Sequence, residues 1–169
     1  MEPLYSVPEN NGIIRWDKRF SVGIPVIDEQ HKNLVNLTNE LFLSCIKDTD
    51  SANDNFKKIV HKLVLYTKNH FSIEERIMET LNFPDIATHK KEHEAFIKQI
   101  LQGVEDFSRS SRFVPNKFVR YLRDWILAHI AMTDKRYADY IVECKKRRGS
   151  GPAAGRMQKH DGAVPVKSA

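Results

Sequence analysis

The sequence predicts an all-α fold, an antiparallel up-down-up-down four-helix bundle preceded by an extended N-terminal arm. Three observations carry this. Four long stretches repeat apolar residues at spacings of three and four, the period of an amphipathic helix. Short polar or proline-bearing links separate them. No strand signal of note stands beside them. Helices joined by short links pack as antiparallel neighbours around one core.

The arm, residues 1–27, holds Pro3, Pro8 and Pro25, an Asn10-Asn11-Gly12 turn signal and Gly23. These residues read as extended chain rather than helix. Trp16, Phe20, Val22, Ile24 and Val26 need cover, so the arm is expected to pack on the bundle. Asp28 is the expected N-cap of the first helix, about 28–47. Its stripe is Ile27, Leu34, Val35, Leu37, Leu41, Phe42 and Ile46, and His31 falls on it.

A polar loop over 47–54 leads into the second helix, about 52–81. There His70 and Glu74 line up with Phe56, Val60, Leu63 and Thr67. Leu81-Asn82-Phe83-Pro84 ends this helix, because proline disfavours helical geometry in the residue before it. The third helix, about 85–107, runs Ile86, Phe96, Ile100, Val104 and Phe107 along one line, which His89 and His93 complete. After a loop over 108–115, the fourth helix, about 115–146, carries Phe118, Leu122, Trp125, Ile126, Ile130, Tyr137, Tyr140 and Ile141 inward, with His129 among them. The bundle thus spans 28–146. Residues 147–169 form a basic, glycine-rich tail with the composition of a disordered segment.

Composition narrows the function classes. The chain has 169 residues, 41% apolar and 29% charged, enough for one packed domain with a soluble surface. No apolar run reaches the length of a membrane span. The first residues lack the basic and apolar regions of a secretory signal, so a cytoplasmic location is expected. Cys45 and Cys144 match no metal or redox spacing and are expected as reduced thiols. The net charge of +5 is local: residues 145–169 hold seven basic residues against Asp161, a surplus of six, so residues 1–144 carry −1. A near-neutral body and a tail without aromatic residues argue against nucleic acid as a partner. The basic run reads as a solvated helix end, where basic residues suit the helix C-terminus, ahead of a contact for an acidic partner or membrane surface, and no protein partner is otherwise evident.

The chemistry lies in what the four stripes share. His70 and Glu74 are four apart, as are His89 and His93, and a spacing of four stacks two side chains on one helix face. With His31 and His129, every helix offers at least one imidazole to the interior. Asp134 follows His129 by five, which turns it about 140° away on an α-helix. A sideways approach or a local π-bulge would bring it back, and spacing alone leaves Asp134 open. Only His61 and His160 fall outside the set.

Five buried imidazoles and a carboxylate without partners would cost several kcal/mol of desolvation, and metal coordination removes that cost. Imidazole with carboxylate suits a first-row metal such as iron. Seven ligands exceed the four of zinc and fit two near-octahedral ions. If both carboxylates and an oxo or hydroxo group bridge, an ion on His89, His93 and His129 is six-coordinate. One on His31 and His70 then keeps an open position.

Four segments carry a family resemblance: WDKRFSVGIPVIDEQHKNL at 16–34, HFSIEE at 70–75, FPDIATHKKEHEAF at 83–96 and WILAHIAMTDKRY at 125–137. Together they resemble the hemerythrin family, and its bacterial single-domain branch in particular. The resemblance implies two iron ions with a bridging oxo or hydroxo group. It implies His89, His93 and His129 on one iron, His31 and His70 on the other, and Glu74 and Asp134 bridging. It implies reversible binding of O2 at the two-histidine iron, for carriage, storage or sensing. The expected walls of the O2 pocket are Leu34, Phe71, Trp125 and the small Ala131. The alternative is a di-iron oxidase, or an enzyme handling peroxide or nitric oxide, on the same centre. The histidine-rich donor set and the absence of a Glu-x-x-His pair favour binding over catalysis.

Overall fold

The computed structural model describes residues 12–46, 52–109 and 115–149. Five α-helical stretches run α1 Pro25–Ile46, α2 Ala52–Thr80, α3 Ile86–Arg109, α4 Pro115–Ala128 and α5 Asp134–Gly149. A π-helical segment, His129–Thr133, joins α4 to α5 without a break, so these three make the fourth helix of an up-down-up-down bundle. No strand occurs among the described residues. No helix among them is long and apolar enough to cross a membrane. Of the expected loops and tail, residues 52–54, 108–109, 115 and 147–149 are helical; residues 47–51 and 110–114, the first eleven residues of the arm and the tail from 150 onward lie outside the described residues.

The first helix starts earlier than expected. Pro25 opens it, at a position where the missing N–H has no partner to lose. Asp28 therefore lies inside the first turn and is not the N-cap. Its carboxylate reaches back to the arm and accepts hydrogen bonds from Ser21 Oγ at 2.6 Å, Val22 N at 2.7 Å and Gly23 N at 3.2 Å. Gly23 has φ +75°, a conformation that favours glycine, and so permits this sharp return. Farther up the arm, Asn39 of α1 clamps the backbone of buried Ile14, accepting from its N at 2.9 Å and donating to its O at 2.8 Å. Val26 does not share this cover and is 53% exposed.

The α2–α3 turn closes with a left-handed residue. Asn82 has φ +52°, Phe83 N donates to Met78 O at 2.9 Å, and Asn82 N donates to Glu79 O at 3.1 Å. This paired closure satisfies the last carbonyls of α2. Met78 and Phe83 pack together beside it, so the turn is also anchored by apolar burial.

Two apolar clusters result. The larger contains Leu34, Leu63, Phe71, Phe96, Ile126 and Ile130. The smaller contains Met78, Phe83 and Tyr137, with Ile24, Ile86, Tyr140 and Ile141 against it. On every helix the inward histidines and carboxylates fall between the two. The bundle thus encloses a polar layer with dry packing above and below.

Candidate metal centre

All the histidines and carboxylates singled out from the sequence meet in that layer. His31, His70, Glu74, His89, His93, His129 and Asp134 are each at most 5% exposed. One set of ligand atoms comes from Glu74, His89, His93, His129 and Asp134. A second comes from His31, His70 and Glu74. Within each set the atoms lie within 4.8 Å of one another.

The π segment explains Asp134. Its backbone N–H donates to the carbonyl of His129, five residues back. The widened turn absorbs one extra residue, and the Asp134 side chain returns to the His129 face. Its Oδ1 lies 3.2 Å from His129 Nε2 and 3.5 Å from His89 Nε2, while its Oδ2 lies 3.2 Å from His31 Nε2. One oxygen therefore faces each histidine group. Glu74 stands opposite. Its Oε1 is 3.7 Å from His31 Nε2, and its Oε2 is 3.5 Å from His70 Nε2 and 3.4 Å from His93 Nε2.

The residues fit a metal pair on three counts. First, His31 Nε2, Glu74 Oε2 and both Asp134 oxygens are buried without a hydrogen bond. Each such group left unsatisfied costs about 1–3 kcal/mol. Second, the Nε2 atoms of His89 and His93 lie 2.9 Å apart, and those of His93 and His129 3.0 Å. Nitrogens at right angles around one ion, each about 2.1 Å from it, sit about 3 Å apart. Third, the electrostatics call for cations. Burial raises the pKa of both Glu74 and Asp134, yet the surrounding histidines outweigh it and hold both carboxyls below the usual range. Burial opposes the charged form of His31 too, but Asp134 and Glu74 bring its pKa up to about 9. Burial wins at His70, whose pKa falls to about 4 despite Glu74. Two carboxylates held ionised in a buried layer are costly without cations beside them.

A second layer of side chains, not foreseen from the sequence, orients the first. His70 Nδ1 donates to Gln30 Oε1 at 3.0 Å, and His93 Nδ1 to Glu75 Oε1 at 2.9 Å. His129 Nδ1 lies 3.3 Å from Glu92 Oε2, which also accepts from Thr133 Oγ1 at 3.0 Å. A proton held on Nδ1 leaves the Nε2 lone pair aimed inward, the form that binds metal. Tyr137, read from the sequence only as an apolar stripe member, donates its hydroxyl to Glu74 Oε1 at 2.7 Å. Burial, then Glu74 and Asp134, push the Tyr137 phenol pKa up, so it stays a donor.

Aromatic rings close the three-histidine side. Phe71 stacks on His93 with centroids 3.5 Å apart, and Trp125 stacks on His129 at 4.3 Å and on Phe96 at 3.7 Å. Phe71 also stands 5.7 Å from the His70 ring, and buried Leu34 packs in the same cluster. Ala131 is half-buried on the π segment and belongs to neither apolar cluster. In that stretch Ile126 and Ile130, each 2% exposed, stand with Leu34 and Phe71.

Comparison with known proteins agrees with this architecture. The family model described as the hemerythrin HHE cation binding domain matches residues 22–141. A bacteriohemerythrin of Stenotrophomonas maltophilia is 31% identical over 157 residues, covering 87% of this chain and 96% of that protein. A bacteriohemerythrin of Clostridium acetobutylicum is 30% identical over 131 residues, covering 73% of this chain and 98% of that protein. The crystal structure of a wild-type hemerythrin aligns with a TM-score of 0.69 at 26% identity, covering 75% of this chain and 96% of that one.

Proposed function

The chain belongs to the hemerythrin family, and from that premise we propose that its buried polar layer holds two iron ions with an oxo or hydroxo bridge and binds O2 reversibly. The observation that carries the reading is the convergence of seven buried ligand side chains, several with no other partner, on two adjacent points. His89, His93 and His129 would hold one ion, His31 and His70 the other, and Glu74 and Asp134 both. Held there, the iron pair would supply the two electrons that reversible binding of O2 requires.

The chain's own residues do the rest. Gln30, Glu75 and Glu92 keep three imidazoles in the metal-binding tautomer. Tyr137 holds Glu74 in place. Phe71 and Trp125 exclude water from the three-histidine side, and Leu34 supplies apolar wall toward His31 and His70. We keep Ala131 as the small residue of the pocket, next to Ile130. Five histidines against two carboxylates favour binding over oxidative catalysis, so carriage, storage or sensing of O2 is the reading, ahead of an oxidase or an enzyme handling peroxide or nitric oxide. The location expected from the sequence is the cytoplasm.

An optical titration of the diferrous protein from anaerobic buffer into air tests this. A charge-transfer band that appears with O2 and disappears on its removal is the expected result. Irreversible conversion to the diferric state, with turnover of peroxide or nitric oxide, would favour the enzyme.

A further inference from the structure

We propose that the groove between α2 and α3 is a binding site for a long-chain carboxylate, with its acyl chain along the apolar floor and its anionic end at Lys58 and His61. The groove has two halves that meet at Leu101. The upper half, about 660 Å³, is floored by Val60, Val64, Leu101 and Val104. Its rim is basic: Lys57, Lys58, His61 and Lys62 line it, with Ser108 and no carboxylate. Two of the three lysines are engaged, Lys57 over the Phe107 ring at 6.0 Å and Lys62 with Glu40 at 3.7 Å. Among the described residues, neither Lys58 nor His61 has an ion-pair partner, and both are exposed. The lower half, about 520 Å³, continues over Leu101 and Ile97 and ends against Phe71 and His93; its rim is mixed, with Lys68 and Lys98 beside Glu75, Glu94 and Glu105, so the free anionic end belongs to the upper half.

Each half has the volume of a small-molecule site. A linear groove with aliphatic floor and a cationic end matches a ligand that is long, flexible, apolar and singly anionic. Lys58 and Phe71 are thirteen residues apart on α2, about 20 Å along the helix, so the occupant is extended rather than compact. Leu101, at the junction, is 49% exposed and gains cover from it. The groove runs outside the proposed iron centre, and its lower end is lined by His93, by Phe71 stacked on that ring and by Glu75, which accepts from His93 Nδ1.

Isothermal titration of the full, iron-loaded chain with hexadecanoate below its micellar concentration tests the assignment. One saturable site is expected, with octanoate at least tenfold weaker. The exposed double variant Lys58→Glu/His61→Glu and the single variant Leu101→Asp should each weaken hexadecanoate at least tenfold, with an unchanged thermal midpoint. Ser72→Trp, which fills the lower half, should bring hexadecanoate down toward octanoate. Absence of saturable binding would overturn the proposal. So would equal binding of hexadecyltrimethylammonium, or unchanged affinity in all three variants. Binding of an acidic amphipathic peptide, but not of hexadecanoate, would assign the groove to a protein partner instead.

Discussion

The backbone N–H of Asp134 donates to the carbonyl of His129, and this five-residue closure puts an aspartate between two histidine groups. A π turn of this kind behaves as one residue inserted into an α-helix. Met132, 69% exposed, is the dispensable member of the segment. Deleting Met132 should restore α-helix and leave Asp134 four residues from His129, still on its face. Two irons per chain should survive the deletion, measured by metal analysis of the purified protein. Asp134→Ala should lower that stoichiometry. Loss of both irons on deletion would mean that the π turn contributes more than phase.

Tyr137→Phe removes the donor to Glu74 Oε1 and leaves a buried carboxylate oxygen short of a partner. The expected cost is about 1–3 kcal/mol of stability. Thermal or denaturant unfolding of the variant checks it. A midpoint equal to that of the parent would show that another group satisfies Glu74.

Glu75→Ala frees Nδ1 of His93. Outer partners of this type are worth about 10–100-fold in metal affinity. Competition against a chelator should show iron released at correspondingly lower chelator concentration. Gln30→Ala should do the same through His70. If neither variant loses iron more readily, these contacts do not orient the ligands.

The metal-free protein should be most stable near the ordinary histidine pKa. His70 has a folded pKa of about 4, so the unfolded chain binds the extra proton as pH falls from about 6.5 toward 4, and stability is lost over that window. Glu74 and Asp134, both held low, add to the loss at still lower pH. His31 has a folded pKa of about 9, so its contribution is present below about 6.5 and fades as pH rises through 9. Each histidine moves stability by on the order of 3 kcal/mol. Thermal midpoints of the metal-free protein from pH 4 to 10 should therefore peak near 6.5. Iron requires His31 as neutral imidazole, so loading should remove the alkaline decline. A metal-free profile that rises steadily to pH 9 would contradict the charge state assigned to His31.

The helices and most of the centre were legible because each rests on a spacing that α-geometry makes meaningful. His70–Glu74 and His89–His93 fall on one face by counting alone. Asp134 does not, since counting assumes an unbroken α-helix and the π turn is set by tertiary contacts that a single chain does not display. Asp28 looked like a cap because it precedes an apolar stripe, but Pro25 starts the helix and Asp28 ties down the arm instead. Gln30, Glu75 and Glu92 each sit beside a ligand in sequence, where a solvated helix face has the same composition. Only the distances to the Nδ1 atoms separate the two roles. The Tyr137 hydroxyl was hidden for a related reason: a tyrosine on an apolar stripe has a place for its ring whether or not its oxygen finds a partner.

Anomalous diffraction at the iron edge, from crystals of iron-loaded protein, tests the central claim most directly. Two peaks should appear in the polar layer, one among His89, His93 and His129 and one beside His31 and His70, with Glu74 and Asp134 reaching both. A single peak, or none at these side chains, would contradict the dinuclear centre.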